Sequence, residues 1–283
     1  MSQTFRNKCV VVHGGSGAIG GAVARAFARE GARVFITGRN RARLDAAVRA
    51  IEAEGGRAEA DVVDALDEQA MIRHAAEVAE SAGGIDIALN AIGVMHVQGT
   101  PLSALALEDF FLPVQAYTRG CFLTAKAVAP HMAKRGGGVV LSVSTPASRL
   151  PGPGYLGHAV ACAGVEALSR HMAGELAAFN IRTLCIRSHA IPEAVTAGSH
   201  AREVFRPAAQ SMGLTVEQML AAKLPGLLVE RLPSLDQMAA AALFAASEGA
   251  GADGNSGCMR NRRGSGMTRA ILGSRPRPRL SPA

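Results

Sequence analysis

A short apolar run at residues 9–12 feeds directly into His13-Gly14-Gly15-Ser16-Gly17-Ala18-Ile19-Gly20-Gly21, and a helical pattern begins inside that string. A strand, a glycine-rich turn and a helix in immediate succession leave few folds open. Without a Cβ, glycine lets the backbone turn tightly and brings N–H groups close to a phosphate, and the helix N-terminus adds a favourable dipole. A glycine-rich string alone is often only a turn, and the strand before it and helix after it give it weight. Gly14, Ser16, Gly17, Ile19 and Gly20 are therefore candidate pyrophosphate-site residues.

The rest of the chain repeats the alternation. Strand-like runs at 33–37, 58–62, 85–90, 139–143 and 181–186 are interleaved with helical patterns at 18–30, 41–54, 67–81, 107–134 and 155–178. Glycines at 31, 55–56, 83–84 and 136–138 fall where helices must stop, because the left-handed cap favours a residue without a Cβ. This pattern predicts an α/β fold, a Rossmann-type doubly wound parallel sheet with helices on both faces. No repeat or linker divides residues 1–251, which read as one domain followed by an Arg- and Gly-rich tail at 252–283.

Charge and cysteine content narrow the function classes. The formal net charge is +7, but the tail holds seven Arg and one Asp, a balance of +6, so the body carries about +1. No aromatic residues interleave with these arginines, and the tail reads as a poorly ordered solvated end, not a nucleic-acid site. No apolar run approaches the ~18–20 residues of a membrane span, and the polar start lacks a signal-peptide pattern. The five cysteines are scattered without a C-x-x-C pair, as expected of reduced thiols in a cytoplasmic protein, and no metal-ligand spacing occurs.

The glycine string resembles the T-G-x-x-x-G-I-G signature of short-chain dehydrogenases/reductases, with Gly14 and Gly20 matching, His13 in place of Thr and Ala18 in place of the middle Gly. Asp61-Val62 resembles the family's Asp-hydrophobic pair that contacts adenine, and Asn90-Ala91-Ile92-Gly93 keeps the first Asn and the Gly of N-N-A-G. The resemblance runs from residue 8 to about 247 and implies a dinucleotide cofactor. NAD enzymes place an acid near the end of the second strand for the ribose 2′-hydroxyl. This chain has Arg39 there, whose guanidinium suits a 2′-phosphate, so NADP is expected over NAD.

The family's reaction uses a Tyr, a Lys four residues later, a Ser and an Asn. Glu166-Ala167-Leu168-Ser169-Arg170 is similar to the stretch after the family's Tyr helix, which puts the Tyr position at His158 and the Lys position at Cys162. The end of the strand at 139–143 matches the family's I-S-S, placing the Ser position at Thr145, and Gly120-Cys121-Phe122 matches G-x-F, placing the Asn position at Tyr117. All four expected residues are replaced. Thr145 keeps a hydroxyl, His158 can move a proton near neutral pH, and Cys162 cannot supply the Lys charge. Tyr155 and Tyr117 are alternative proton donors. An imidazole donor predicts a reduction fastest at mildly acidic pH.

The resemblance implies an NADP-dependent oxidoreductase acting on a carbonyl or alcohol of a small lipophilic substrate by an atypical mechanism. A lyase, isomerase or cyclase on the same fold, or a dinucleotide-binding protein without turnover, are the alternatives. It also implies a homodimer or homotetramer, with no nucleic-acid or membrane partner. Residues 194–230 are expected to form a lid over the site. The family ends on a buried seventh strand, which the tail lacks. A one-base shift would let the codons of Asp253-Gly254-Asn255-Ser256 encode Met-Gly-Thr-Val, and those of Asn261-Arg262-Arg263-Gly264 yield Thr-Gly-Gly. The tail accordingly reads as a frameshifted end.

Overall fold

The computed structural model describes residues 4–197, 199–222, 231–250 and 259–260. Strand and helix alternate as β1 (Cys9–His13), α1 (Ala18–Arg29), β2 (Arg33–Gly38), α2 (Arg41–Ala53), β3 (Arg57–Val62), α3 (Glu68–Ala82) and β4 (Ile87–Asn90). The second half adds α4 (Leu107–Lys134), β5 (Gly138–Ser144), α5 (Leu156–Leu176), β6 (Ile181–Arg187), α6 (Ala201–Ser211), α7 (Val216–Ala222), α8 (Leu235–Ala246) and β7 (Met259–Arg260). The strands form one sheet in the order β3-β2-β1-β4-β5-β6-β7, and every pairing is parallel.

Both faces of the sheet's centre are covered, which is why β1 and β4 read as nearly continuous apolar runs, whereas the edge strand β3 is largely exposed. Val10, Val12, Val34 and Ile36 point to one side and share a core with Val23 and Phe27 of α1, Leu44 and Ile51 of α2, and Met238 and Ala242 of α8. Cys9, Val11 and Phe35, the alternate residues, point to the other side and pack with Met71 and Val78 of α3 and with Leu123, Val128 and Met132 of α4. Strand order reverses between β1 and β4. In open parallel sheets the crevice at such a reversal, outside the carboxyl ends of the strands, is where ligands bind.

The turn at that crevice depends on two glycines. Gly14 has φ +79°, in the left-handed region. A Cβ on Gly20 would lie 2.3 Å from the Gly14 carbonyl oxygen, so α1 can press onto the turn only without one. Ala18 sits inside the helix with no positive φ, so losing the family's middle glycine introduces no strain.

The chain end corrects one expectation. Met259 and Arg260 pair with Ile186 and Arg187, so a two-residue seventh strand stands where none was expected. Backbone pairing needs no particular side chain, so the open edge of β6 accepts this segment despite its sequence. The remaining tail, 251–258 and 261–283, lies outside the described residues, as do the segments read as frameshifted. Of the expected lid, α6 and α7 are helical, and 223–230 fall outside the description.

Candidate active site

A cavity of about 520 Å³ opens along the carboxyl edge of the sheet and joins the glycine turn to the far end of β5. Gly14, Ser16, Gly17 and Ile19 line one end of it, whereas Gly20 lies behind the turn and shapes it. Gly17 is the N-cap of α1 and no side chain caps the helix, so first-turn N–H groups are open to an external acceptor. His13, in the family's Thr position, is buried beside this turn with Nδ1 2.8 Å from Thr37 Oγ1. Burial, reinforced by nearby His74, pushes its imidazole down to about 3, so it stays neutral.

At the end of β2, Arg39 lines the cavity with Asn40 and Arg43, two residues that the sequence reading did not single out. Asn40 caps α2, accepting from the Arg43 N–H at 3.0 Å. Asp61 and Val62 are not on the cavity wall. They belong to β3, where Asp61 Oδ2 lies 3.5 Å from His74 Nε2 and Val62 is exposed. The chain enters the crevice only after the strand ends, so Val63, Asp64, Ala65 and Leu66 form that wall instead. The better signal was Asp67, whose side chain caps α3, since a wall segment must precede that cap. Asn90 and Gly93 do line the cavity, and Asn90 ties β4 to α4 by donating from Nδ2 to Thr124 Oγ1 at 3.0 Å.

At the other end, β5 and α5 bring Thr145, His158 and Cys162 together. Thr145 Oγ1 lies 3.2 Å from His158 Nε2 and 3.4 Å from Cys162 Sγ, and the thiol lies 3.6 Å from the same imidazole nitrogen. Tyr117 of α4 also lines this end, with its hydroxyl 3.5 Å from His96 Nδ1. Tyr155 precedes α5 by one residue and does not line the cavity, because the helix carries the position one turn later, His158, to the wall. His96, Gln98, His189 and His200 are further wall residues. They sit in loops after strands, where composition carries no periodic signal.

The electrostatics reverse one expectation. Burial, with His96 stacked on it at 5.0 Å, lowers His158 to about 4. Imidazolium is therefore not populated at mildly acidic pH, and the expected acid optimum does not follow. Burial raises the Tyr117 phenol beyond the usual range and raises the Cys162 thiol, so these groups are neutral as well.

The buried charge lies one helical turn further on. His158, Cys162 and Glu166 follow one another at i, i+4 and i+8, on one face of α5. Glu166 accepts from Ser144 Oγ at 2.8 Å, Ser148 Oγ at 2.6 Å and Arg187 Nε at 2.6 Å, and its second oxygen pairs with the other arm of Arg187. Burial by itself would raise this carboxyl, but the bonds from Arg187, Ser148 and Ser144 and the Arg187 charge outweigh it and hold it low. The cluster ties α5 to both flanks of Thr145, the end of β5 and the turn after it.

A family profile described as short chain dehydrogenase matches residues 8–202. The chain is 30% identical over 181 residues to 7alpha-hydroxysteroid dehydrogenase of Clostridium sardiniense, a match covering 64% of this chain and 69% of that protein. It is 33% identical over 163 residues to gluconate 5-dehydrogenase of Gluconobacter oxydans (strain 621H), covering 58% of this chain and 63% of the relative, less than two thirds of its length. A solved 7 alpha-hydroxysteroid dehydrogenase complexed with NADH and 7-oxo glycochenodeoxycholic acid superposes with a TM-score of 0.71 at 27% identity, covering 87% of this chain and 89% of that one. The chain belongs to the short-chain dehydrogenase family, a family of NAD(P)-dependent oxidoreductases.

Replacing Glu166 by Ala removes the buried carboxylate that accepts from Ser144, Ser148 and Arg187 and is expected to cost about 3–5 kcal/mol. Urea denaturation measures this. The carboxyl is held below its unfolded value, so its contribution is complete above the unfolded range near pH ~4.5 and is lost as pH falls through the folded value. The Ala variant should lose less stability than the parent on acidification across that range.

Proposed function

We propose that the chain is an NADP-dependent oxidoreductase that oxidises an alcohol, or reduces the corresponding carbonyl, on a small apolar substrate. One observation carries the reading. A single cavity runs from the glycine turn, past Arg39, to the Thr145–His158 pair. The uncapped α1 and the Gly14 turn suit a pyrophosphate, and Arg39 and Arg43 without an acid at the end of β2 suit a 2′-phosphate. When bound, the nicotinamide supplies or takes the hydride. The protein must hold the substrate oxygen and move its proton. Thr145 is placed to hydrogen-bond that oxygen. His158, neutral above about pH 4, is placed to accept the hydroxyl proton, so its natural role is base in the oxidative direction. Val143, Ile191, Ala194, Val204 and Phe205 line the wall around this end, which favours an apolar substrate.

Cys162 supports a second reading. The family's Lys binds the nicotinamide ribose, and no Lys or Arg lines this end of the cavity among the described residues. A dinucleotide-binding protein without turnover, or a non-redox enzyme, would tolerate that loss. Replacing both His158 by Tyr and Cys162 by Lys would raise carbonyl reduction if the pocket is otherwise competent.

Assembly is part of the proposal. Phe111, Leu112 and Phe122 of α4 and Leu156 and Val160 of α5 are large exposed apolar residues on two helices that pack together. We take this face as a two-fold homodimer contact. Sedimentation at micromolar concentration should give a dimer, and Phe122→Asp should shift it toward monomer; monomer alone in the parent protein contradicts the contact.

Fluorescence titration is expected to give tighter binding of NADPH than NADH, with the order reversed in Arg39→Asp. Equal affinities in the parent protein would sink the NADP assignment.

For turnover, NADP reduction is followed with a panel of apolar secondary alcohols. His158→Phe should lower the rate by about 10²–10⁴-fold, the usual contribution of a positioned acid or base. The parent's rate should hold from pH 8 to about 5 and fall toward pH 4 as the imidazole protonates. A rate that rises on acidification, or is untouched in His158→Phe, removes the imidazole from the mechanism.

A further inference from the structure

Three stretches of backbone meet beside the substrate end of the cavity with no side chain between them. Gly99 lies on the loop at 91–106 that follows β4, and its N–H donates to the Gly154 carbonyl at 2.8 Å. Gly154 lies on the segment that leads from β5 into α5. Both glycines have positive φ, +88° and +78°, a conformation that side chains disfavour. A Cβ on Gly154 would stand 2.7 Å from Gly99 Cα. A Cβ on Gly99 would stand 2.9 Å from both the nitrogen and Cα of Ala208 in α6. The loop, the α5 approach and α6 are therefore in contact only because two residues lack a side chain.

α6 turns one stripe toward this junction. Ala201, Val204, Phe205 and Ala208 are spaced i, i+3, i+4 and i+7, which puts them on one side of the helix. The first three line the cavity, and Ala208 rests on Gly99. The contact at Ala208 thus sets how far Val204 and Phe205 stand from the walls that the loop and β5 supply, His96 and Thr145 among them. The two sides of the contact are not equally fixed. Gly99 is held by its bond to Gly154. Ala208 and Ala209 instead belong to a small core with Val216, Met219 and Leu220 of α7, separate from the two cores under the sheet. Among the described residues of α6, only Ala201 also packs against the core beneath β1. The helix can therefore withdraw at its Ala208 end, with α7, while it stays anchored near Ala201.

We propose that Gly99 is a specificity-determining residue: it lets α6 close onto the loop backbone to backbone, and this contact sets the width of the substrate end. The proposal rests on reading the cavity as the substrate site. Non-bonded carbon atoms rest about 3.5–4.0 Å apart, so a methyl group at position 99 moves Ala208 outward and widens the space between α6 and the loop. An apolar wall discriminates chiefly by volume, because it offers a ligand no directional bond to gain or lose. The native spacing accordingly admits the smaller members of a series of fused alicyclic ketones and excludes the larger.

The test uses the full chain, with cyclohexanone, decalone and perhydroanthracenone as probes and ligand-detected NMR to measure their affinities. In Gly99→Ala the ratio of perhydroanthracenone to cyclohexanone affinity should rise at least about tenfold, the low end of what one methylene discriminates in an apolar pocket. Ala208→Val enlarges the same contact from the helix side, where the backbone is regular, and should move the ratio the same way. It carries the test if Gly99→Ala fails to fold. Met212→Ala, on an exposed residue just past α6, should leave the ratio unchanged. A merely structural weakening would lower all three affinities by one factor and leave the ratio as it was. An unchanged or falling ratio in the folded variants overturns the assignment, and so does a ratio that moves as far in Met212→Ala. A parent protein that binds none of the three, or that already prefers the largest, overturns it as well. NADPH affinity, measured on the same samples, keeps the readings apart: nucleotide binding with an unchanged ratio removes only the role of Gly99, and a shifted ratio without nucleotide binding removes only the redox reading.

Discussion

Parallel pairing is the constraint from which the rest of this structure follows. When every strand runs the same way, every carboxyl end reaches the same edge, and the loops that leave those ends meet there. The order β3-β2-β1-β4-β5-β6-β7 reverses once, between β1 and β4, so helices depart to opposite faces and a crevice opens between them. Gly14 and Gly20 let α1 sit against the turn at its mouth. The cavity is therefore a consequence of topology, and the residues after the strand ends decide what it can do.

What it can do is unusual because, among the described residues, the end of the cavity at Thr145 and His158 is lined by no Lys, Arg, Asp or Glu. The family pairs a phenol with an ammonium group, whereas here an imidazole stands beside a thiol, and burial keeps both neutral. The nearest buried charges, Glu166 and Arg187, neutralise each other behind the site. Removing both ions from water is unfavourable by itself, and the two serines offset part of that cost by donating to the carboxylate. The pair holds α5 in register with β5 so that His158 meets Thr145, and the Glu166 charge adds to the burial that raises the Cys162 thiol.

The same neutrality explains why the histidines of the wall matter more for their tautomers than for their charge. His96 is oriented by the Val94 carbonyl and in turn orients Gln98.

The fold was legible in local pattern, and several of the expected site residues line one cavity. Apolar runs spaced by helical patterns imply parallel strands, because chain order and period are local properties, and the glycine string after the first strand locates the phosphate turn for the same reason. The spacing of thirteen between Thr145 and His158 likewise identified two groups that now lie 3.2 Å apart. Tertiary structure alone decided the rest. Whether β3 carried Asp61 to the cavity or stopped short depended on where its pairing with β2 ended. Whether His158 was charged depended on its burial against His96, a residue in a loop with no periodic signature. Whether Gln98 donated to His96 depended on the Val94 carbonyl that fixes the ring, in a loop that no motif marks. Local pattern reports which atoms a segment brings, but desolvation and hydrogen-bond satisfaction are properties of what other segments place around them, and those exist only once the chain has folded.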